Sequence, residues 1–310
     1  MEYGAHLPLI ELEQGSSSLA LLREYASTAA RLGYTALSAN DHLLFRTPWL
    51  DGPTALAAVV DLTEQMTVAT TVCLPVIRGP VQAAKTLAAL DVLSGGRLVV
   101  GISAGSSARD YAAVGIPFDE RWPRFEEAAQ TLHALLHEDR PRFTGRFYST
   151  EDIVLEPPPA QRPGPPIWIG SWGSRPGLRR VARLADGWLA SAYNTTPDTF
   201  RAGLAYLDEQ LASSGRNAAG FPNGLATMWL HVTDRRATAE RILGDVLAPM
   251  LNRPVDAIRD LFLPIGDVET CAERLTAFSQ AGVQRVFVWP LGDELGQLEL
   301  FQERVVPLVR

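Results

Sequence analysis

Apolar and polar positions follow one pattern that recurs four times along the chain: an apolar helical stretch, a glycine and a short apolar run. The four copies are RLGYTALSA (31–39), LSGGRLVVGI (93–102), RLADGWLAS (183–191) and QAGVQRVFVW (280–289). A glycine just past a helix end fits the left-handed C′ position. A nearly continuous apolar run is typical of a strand covered on both faces of a parallel sheet. The pattern therefore predicts helices that alternate with parallel strands.

Extending this register in both directions predicts eight strands with helices between them. The predicted strands are Tyr3–Leu9, Ala36–Ala39, Val68–Cys73, Leu98–Ile102, Ile167–Gly170, Trp188–Ala190, Ala226–Val232 and Val286–Trp289. The predicted helices are Leu19–Leu32, Pro53–Thr63, Pro80–Leu93, Arg124–His137, Leu178–Leu184, Thr199–Ser213, Ala237–Leu251, Val268–Ala281 and Leu295–Val306. Eight alternations predict a closed (β/α)₈ TIM barrel that occupies residues 1–310 as a single domain. An open doubly wound sheet is the alternative, but the G-x-G-x-x-G turn that normally follows its first strand is absent.

Three segments interrupt the alternation. Residues 103–123 are predicted to form a long loop after the fourth strand. Residues 138–166 run from a predicted hairpin, RFTGRFYS, into the proline-rich EPPPAQRPGPP, and Asn252–Gly266 is also punctuated by prolines. Long connections in a compact domain are usually lids or binding loops, with surface decoration as the alternative.

Composition and charge narrow the classes of function. The formal net charge of −7 argues against a nucleic-acid partner, because phosphate contacts need a basic face. No run approaches ~18 apolar residues, so no membrane span is predicted. The two cysteines, Cys73 and Cys271, form neither a disulfide framework nor a metal-ligand spacing. We therefore expect a cytoplasmic protein that acts on a small molecule.

The candidate chemistry lies at the carboxyl ends of the predicted strands, where TIM barrels carry their active sites. Asp41 and His42 directly follow a strand, and a histidine there can act as an acid, a base or a hydrogen-bond donor. A capping aspartate beside a structural histidine is the alternative. His6, Tyr193 and Trp289 are candidate substrate contacts, and with Trp49 and Trp229 they suggest an apolar pocket or simply a core.

The segment SWGSRPGLRR (171–180) is a candidate anion site, because it follows the fifth strand and opens a helix. Backbone N–H groups at a helix N-terminus attract anions. Arg175, Arg179 and Arg183 are spaced four residues apart and share one helix face. They either hold a phosphate or form a solvated basic face.

The chain resembles the luciferase-like monooxygenase superfamily, the flavin- and deazaflavin-dependent barrels. The resemblance rests on RLGYTALSANDHLLF, on the stretch from TVATTVCLP to LAALDVLSGGRLVVGISAG, and on ALLHEDRPRFTGRFY, PPIWIGSWGS, ARLADGWLAS and the C-terminal QAGVQRVFVWPLG. It covers nearly the whole chain. It implies a cofactor, coenzyme F420 or FMN, and members of the family are commonly homodimers.

The resemblance also implies roles for particular residues. Asp41 and His42 match the pair that members using F420 place beside the deazaflavin ring. Thr71 and Val72 match the end of the third strand, where many members carry a non-prolyl cis peptide. The remaining cofactor contacts that it implies are Ser103, Gly105, Ser106, Gly170, Ser171 and Gly173, and we add Arg175 and Arg179 as phosphate candidates.

Two departures qualify these roles. The F420-dependent glucose-6-phosphate dehydrogenases carry a catalytic glutamate at the position of Ser106, so their proton transfer is in doubt here. Bacterial luciferase carries a phosphate-binding arginine at the position of Ala104, which weakens an FMN anchor of that kind. Residues Asp41 and His42 are therefore the predicted catalytic groups.

The sequence leaves several functions open. F420-dependent hydride transfer is the preferred one, and FMN-dependent monooxygenation is close behind. A barrel metallohydrolase would use His6, Asp41 or His42, and His231 as ligands. A barrel that only binds its ligand is the third class.

Overall fold

The computed structural model describes residues 1–12 and 18–310. Its centre is a barrel of eight parallel strands, and one further short strand lies beside it. The strands are β1 (Glu2–His6), β2 (Ala36–Ala39), β3 (Thr67–Cys73), β4 (Leu98–Ile102), β5 (Ile167–Gly170), β6 (Gly187–Ser191), β7 (Asn223–Val232), β8 (Ile265–Gly266) and β9 (Arg285–Pro290).

The barrel closes because each of its strands pairs in parallel with two neighbours. The order runs from β6 through β5, β4, β3, β2 and β1 to β9 and β7, and β7 pairs back with β6. The extra strand β8 pairs only with the end of β7, through His231 and Val232. The predicted (β/α)₈ TIM barrel is confirmed, and its eighth barrel strand is β9.

Helices cover the outside of the barrel. They are α1 (Leu19–Arg31), α2 (Gly52–Ala57), α3 (Pro75–Arg78), α4 (Pro80–Leu93), α5 (Ala108–Ala113), α6 (Arg121–His137), α7 (Arg175–Leu184), α8 (Pro197–Ser213), α9 (Arg236–Arg241), α10 (Ala248–Leu251), α11 (Val255–Arg259), α12 (Val268–Gln280) and α13 (Glu294–Leu300). Side-chain caps set several of the beginnings. Ser18, Ser174 and Asp267, for example, each accept a hydrogen bond from the backbone N–H three residues later.

In three of the four copies of the recurring pattern, the glycine ends a helix as predicted. In the fourth copy it has a different role. Gly33, Gly95 and Gly282 follow helices with positive φ, as the left-handed C′ position requires. Gly187 is instead the first residue of β6. A Cβ placed there would lie 2.5 Å from Nε1 of Trp168, so the glycine makes room for that ring.

The barrel interior is filled by two large rings among small side chains. Trp168 and Phe287 belong to an inner cluster with Ala36, Ala69, Leu189 and Ala226. A Cβ on Gly4 would lie 2.7 Å from the Phe287 ring, and one on Gly224 would lie 3.1 Å from the Trp168 ring. Small residues on neighbouring strands therefore accommodate both rings at interior density.

The segment that follows β4 contains more regular structure than predicted. The other two segments that interrupt the alternation are about as irregular as predicted. The predicted loop 103–123 is wrong in part, because it contains α5, a 3₁₀ turn at Phe118–Glu120 and the start of α6. The hydroxyl of Ser107 caps α5 by accepting from the N–H of Asp110, a signal present in the sequence. Residues 138–166 hold only one antiparallel bridge, between Thr144 and Ser149, where a hairpin was predicted.

Several predicted elements differ in extent. The last predicted helix, Leu295–Val306, is α13 followed by a π-helical turn at Phe301–Val305, and the seventh strand begins at Asn223 rather than Ala226. The first strand ends at His6 rather than Leu9, and the helix predicted over Pro53–Thr63 is α2 followed by a 3₁₀ turn at Val60–Leu62. The helix predicted over Ala237–Leu251 is interrupted by a π-helical turn at Ile242–Leu247. The stretch Asn252–Gly266 contains α11 and β8.

Candidate functional site

A cavity of about 410 Å³ lies at the carboxyl ends of the barrel strands. Ten of the residues that the sequence predicts as site residues line it. They are Asp41, His42, Thr71, Val72, Ser103, Gly105, Ser106, Gly170, Ser171 and Tyr193. Because these residues follow β2 to β6, strand closure alone brings them to one opening.

The carboxylate of Asp41 is buried in an ion pair with Arg78. The two oxygens accept from Nε and Nη2 of Arg78 at 2.6 and 2.7 Å, and one also accepts from the N–H of Leu74 at 3.2 Å. Arg78 also pairs with Asp51. Burial opposes the charge of Arg78, but the hydrogen bonds to the aspartates outweigh it and raise the pKa of the guanidinium. The Asp41 side chain is therefore fixed in position beside the cavity.

The imidazole of His42 is held by a different carboxylate. Its Nδ1 lies 3.4 Å from Oδ2 of Asp110, whose other oxygen accepts from the N–H of Leu44 at 3.0 Å. Burial alone would raise the pKa of Asp110, but the hydrogen bonds from His42 and Leu44 outweigh it and leave the pKa below its usual value. With Nδ1 directed to Asp110, Nε2 is the nitrogen of His42 that stays available for a ligand.

Aromatic side chains support His42 on its other sides. The rings of Phe45 and Trp49 lie 4.8 and 4.7 Å from the imidazole, centroid to centroid. The ring centroid of Trp49 lies 5.6 Å from that of Trp289, which in turn lies 6.0 Å from that of Trp229. An aromatic row thus runs behind the cavity from the end of β2 to β7.

The cavity carries two buried polar atoms without a protein partner. These atoms are Oγ1 of Thr71 and Oδ1 of Asn40, on residues that are 4% and 8% exposed. The peptide between Thr71 and Val72 is cis, as the family resemblance predicts. A buried hydroxyl and a buried amide oxygen need partners, so these atoms mark where the polar edge of a ligand fits.

Positive charge gathers at the end of the cavity between α6 and α7. Arg121 and Arg180 both line the cavity, and the exposed ring of Trp122 lies between their guanidiniums at 5.4 and 4.6 Å. Arg180 is also paired with Glu126 at 3.1 Å. Ser171 and Ser174 add hydroxyls beside the N-terminus of α7. An anionic group fits this end.

Two predicted phosphate ligands lie away from this end. Nη1 of Arg179 donates to the hydroxyl of Tyr206 at 3.2 Å, and the Arg175 guanidinium lies over the same ring at 5.0 Å. Neither lines the cavity, because the face they share packs towards α8. Gly173 lies between lining residues Trp172 and Ser174 with a φ of 86° and is not itself part of the lining.

Two predicted substrate contacts are buried behind the wall. His6 stacks on Trp289 at 3.7 Å; its Nδ1 donates to the carbonyl of Leu7 at 2.8 Å, and its Nε2 accepts from the N–H of Asn40 at 3.1 Å. Burial lowers the pKa of His6 to about 3, so the ring stays neutral. The third, Tyr193, does line the cavity.

Several functional candidates were missed in the sequence. Arg78, Asp110, Arg121 and Arg180 carry no local motif that ties them to residues 41 and 42. Asp110 is 68 residues from His42 in the chain. The one available signal was the S-x-x-D spacing of Ser107 and Asp110, which marks a helix start near a strand end.

The ligand set of the metallohydrolase alternative is not assembled in the part of the chain that the structure describes. There, no group of three His, Cys, Asp or Glu side chains is arranged to hold a metal ion. His231, one of the three ligands proposed, contacts the carbonyl of Leu291 through Nδ1 at 2.7 Å. Nor is any described helix long and apolar enough to cross a bilayer.

Comparison with known proteins adds three kinds of match. The family model for luciferase-like monooxygenases matches residues 6–254. An uncharacterized protein of Mycobacterium tuberculosis is 30% identical over 210 residues, which are 67% of this chain and 71% of that protein. An F420-dependent glucose-6-phosphate dehydrogenase of Amycolatopsis mediterranei is 24% identical over 93% of this chain and 94% of its own. An FMNH₂-dependent dimethylsulfone monooxygenase of Pseudomonas putida is 30% identical over 62% of this chain and 51% of its own.

Solved structures match over the whole barrel. A monooxygenase of Streptomyces bottropensis has a TM-score of 0.83 at 19% identity and covers 99% of both chains. An F420-dependent secondary alcohol dehydrogenase in complex with an F420–acetone adduct has a TM-score of 0.85 at 18% identity, over 100% of this chain and 99% of its own. At these identities the structural likeness shows the fold.

Proposed function

Because this chain belongs to the luciferase-like monooxygenase family, we propose that it is an oxidoreductase that binds a reduced flavin-type cofactor in the cavity beside His42. Coenzyme F420 is the preferred cofactor, and the reaction is hydride transfer to or from a small organic substrate. The observation that carries the proposal is the His42–Asp110 pair on the cavity wall, next to two buried polar atoms that lack a partner.

The residues present suit such a cofactor at both ends. A tricyclic ring with polar edges fits beside Thr71 and Asn40, whose unpartnered side-chain oxygens can bond with its carbonyl or N–H groups. Its phosphate fits between Arg121, Arg180 and the N-terminus of α7. The cavity of about 410 Å³ lies within the usual size range of small-molecule sites.

In this reaction the protein orients the cofactor and the substrate, excludes water from the cavity and transfers one proton. The redox chemistry at the site is supplied by the reduced cofactor when it is bound. Asp110 fixes the His42 ring through Nδ1, so Nε2 can donate a proton to a substrate oxygen or accept one from it. Because Ser106 stands where a catalytic glutamate would be expected, His42 is the proton donor and acceptor that we assign.

The Asp41–Arg78 pair supports this wall without taking part in proton transfer. Asp41 accepts three hydrogen bonds, two from Arg78 and one from the N–H of Leu74, so its role is to fix the start of α3 beside the ring site. Losing one member of a buried pair leaves the other charge uncompensated, which costs about 3–5 kcal/mol. Both cofactor affinity and stability therefore depend on it.

FMN-dependent monooxygenation is the second candidate. One observation favours it: the P. putida relative named above is an FMNH₂-dependent enzyme. Arg121 and Arg180, which line the cavity, would serve the phosphate of either cofactor. Two observations favour F420: the resemblance of Asp41 and His42 to the F420-dependent pair, and the nearly full-length likeness to an F420-dependent dehydrogenase.

Separate titrations of the purified protein with reduced F420 and reduced FMN, followed by fluorescence, test the proposal. We expect the lower Kd for F420.

Arg121→Ala should raise the Kd about tenfold or more, since a hydrogen bond to a charged group contributes about 1.5–3 kcal/mol. Arg201→Ala, on the exposed face of α8, is the control, and equal weakening by Arg179→Ala would move the phosphate to the outer face of α7. Tight binding of FMN with none of F420 would reverse the cofactor preference, and binding of neither would refute the proposal.

A further inference from the structure

Thr227, on β7, holds a strained backbone conformation at the cavity. Five non-glycine residues have positive φ within 1–12 and 18–310: Glu64, Asp152, Thr227, Asn252 and Asp293. Thr227 is the only β-branched residue of the five, at a φ of 55°, and β-branched side chains pay the largest penalty in this region. It also lines the cavity. Strain of this kind persists where the surrounding structure imposes it, often for function.

A β-bulge produces this conformation. The pairing of β7 with β9 shifts register between Leu225 and Met228, so the chain carries an extra residue there. A bulge of this kind redirects a side chain and often lies next to an active site. Thr227 is thereby turned into the cavity lining on a strand whose neighbours Met228 and Trp229 are buried.

The redirected hydroxyl joins two others. Oγ1 of Thr227 lies 2.8 Å from Oγ of Ser191 at the end of β6, and it donates to the carbonyl of Ala226 at 2.7 Å. Tyr193, two residues after Ser191, also lines the cavity. Burial raises the pKa of the Tyr193 phenol, partly offset by Arg253 and by hydrogen bonds from Asn194 and Ser191, so the phenol remains a proton donor near neutral pH.

Within the described residues, the cation that contacts this hydroxyl cluster of Ser191, Tyr193 and Thr227 is Arg253, and it is engaged by hydrogen bonds. Arg253 lies 5.3 Å from the Tyr193 ring, but it donates to the Tyr193 carbonyl at 2.7 Å and to Oδ1 of Asn194 at 2.6 Å. The arginines that line the cavity are at the α6–α7 end. The chain has one lysine, Lys85, and it donates to the carbonyl of Glu156. A phosphorylated or carboxylate substrate would therefore have to compete with these hydrogen bonds for Arg253 to offset its lost hydration.

We propose that the hydroxyl cluster of Ser191, Tyr193 and Thr227 binds the oxygen of an uncharged carbonyl compound or alcohol, with the strained bulge at Thr227 as its positioning element. Hydroxyls both donate and accept, so the cluster suits either member of a carbonyl–alcohol pair. The Tyr193 ring stacks on Trp229 at 5.3 Å, which provides an apolar surface for the rest of the substrate. The proposal names the substrate class of the proposed function and rests on it.

Binding and stability measured in parallel on the full chain test this assignment. Thr227→Gly removes the hydroxyl and relieves the φ strain, whereas Thr227→Val keeps the shape and the strain but lacks the hydroxyl. Acetophenone serves as the neutral probe and glucose 6-phosphate as the anionic one, with Kd measured by calorimetry. Glu64→Gly is the matched control, since it relieves positive φ at an exposed turn away from the cavity.

We expect both Thr227 variants to raise the Kd for acetophenone about three- to tenfold, the range for one hydrogen bond. The melting temperature of Thr227→Gly should stay the same or rise, and Glu64→Gly should leave the Kd unchanged. Three results would overturn the assignment: wild-type affinity for acetophenone in both Thr227 variants, a rise in the Kd for glucose 6-phosphate in those variants as large as that for acetophenone, or no binding of acetophenone. Cofactor titration of the same variants separates this failure from that of the proposed function, because Thr227 lies outside the proposed cofactor contacts.

Discussion

At the scale of single residues, the carboxylate that serves His42 is not its sequence neighbour. Asp41 is engaged by Arg78, and Asp110 reaches the imidazole from α5. The hydrogen bond made by one ring nitrogen of a histidine fixes the orientation of the ring and leaves the other nitrogen for the ligand. The residue that makes this bond therefore determines which nitrogen can act as a base. Two aspartates near one cavity therefore make separate contacts: Asp41 holds Arg78 and the start of α3, and Asp110 holds the His42 ring.

Replacing Asp110 by Asn should lower kcat about 10²-fold with little change in KM, because the ring loses its fixed tautomer while the cavity keeps its shape. Steady-state kinetics over pH 5 to 9 would check this, since the pH profile of kcat should shift when the carboxylate beside the imidazole becomes a neutral amide. Asp198→Asn, at an exposed position on α8, is the control. A variant with wild-type kcat and pH profile would show that Asp110 is only structural.

Replacing His6 by Gln should flatten the dependence of stability on pH. In the native protein the pKa of His6 is about 3, while the unfolded chain takes up the proton near 6.5. The unfolded state therefore binds more protons between these values, and the free energy of unfolding falls as pH decreases through this window. The slope is at most about 1.4 kcal/mol per pH unit. Urea unfolding at pH 7.5, 5.5 and 4.5 would measure it.

The control for this experiment is Gln280→Ala, at an exposed position on α12 that carries no titratable group. It should keep the wild-type slope at every pH. If His6→Gln had the same slope as the wild type, His6 would not be the group that releases its proton on folding. At pH 7.5 His6 of the wild type is neutral in the folded state and almost entirely neutral in the unfolded state, so a difference between the two proteins there reflects mainly the lost hydrogen bonds and the lost stacking on Trp289.

At the scale of elements, one side chain organises the irregular insertion that follows α6. Glu127 accepts from the N–H groups of Arg146, Phe147 and Tyr148 at 3.0, 2.7 and 3.3 Å. The turn has only one bridge of its own, between Thr144 and Ser149. The conformation of GRFY thus depends on a carboxylate outside it.

Glu127→Ala should lower the free energy of unfolding by about 2 kcal/mol, the scale of hydrogen bonds to a charged acceptor. Glu127→Gln, which keeps one acceptor oxygen, should lose less. Chemical denaturation would measure both, with the exposed Glu151→Ala as the control. A loss in Glu127→Ala no larger than that of the control would mean that the turn is held by other contacts.

The elements also show what the sequence can predict. Period and glycine placement predicted every barrel strand, because a strand buried on both faces must be apolar along its length. The cap at Ser107 went unrecognised, and α5 with it. The roles of Arg78 and Arg121 could not be predicted for a different reason. Their side chains reach the cavity because of how the loops pack over the barrel, and local sequence propensity does not determine that packing. The bulge at Thr227 is equally invisible, since its cause is a register shift against β9.

At the scale of the whole molecule, barrel closure depends on glycines matched to one interior ring. The Trp168 side chain occupies the space beside Gly187 and Gly224. Gly187→Ala would put a Cβ 2.5 to 2.6 Å from three atoms of that ring, and overpacking of this kind costs about 1–3 kcal/mol.

Thermal and chemical unfolding of Gly187→Ala should therefore show a loss of that size. Gly244→Ala is the matched substitution, because the nearest atom to its Cβ, on Val255, is 3.7 Å away and the glycine is helical. It should be neutral or stabilising, as helix propensity predicts. Equal effects of the two substitutions would mean that the ring at Trp168 moves aside at little cost.

The tryptophans also make the cavity optically visible. Of the seven in the chain, Trp122 and Trp172 line the cavity, and Trp49, Trp289 and Trp229 connect its two sides from behind. Only Trp168 and Trp188 stand apart, in the barrel and against Phe200. Most of the tryptophans that give this protein its intrinsic fluorescence therefore lie at or behind the cavity. Ligand binding should change the intensity or wavelength of that fluorescence, so it can be followed without a label.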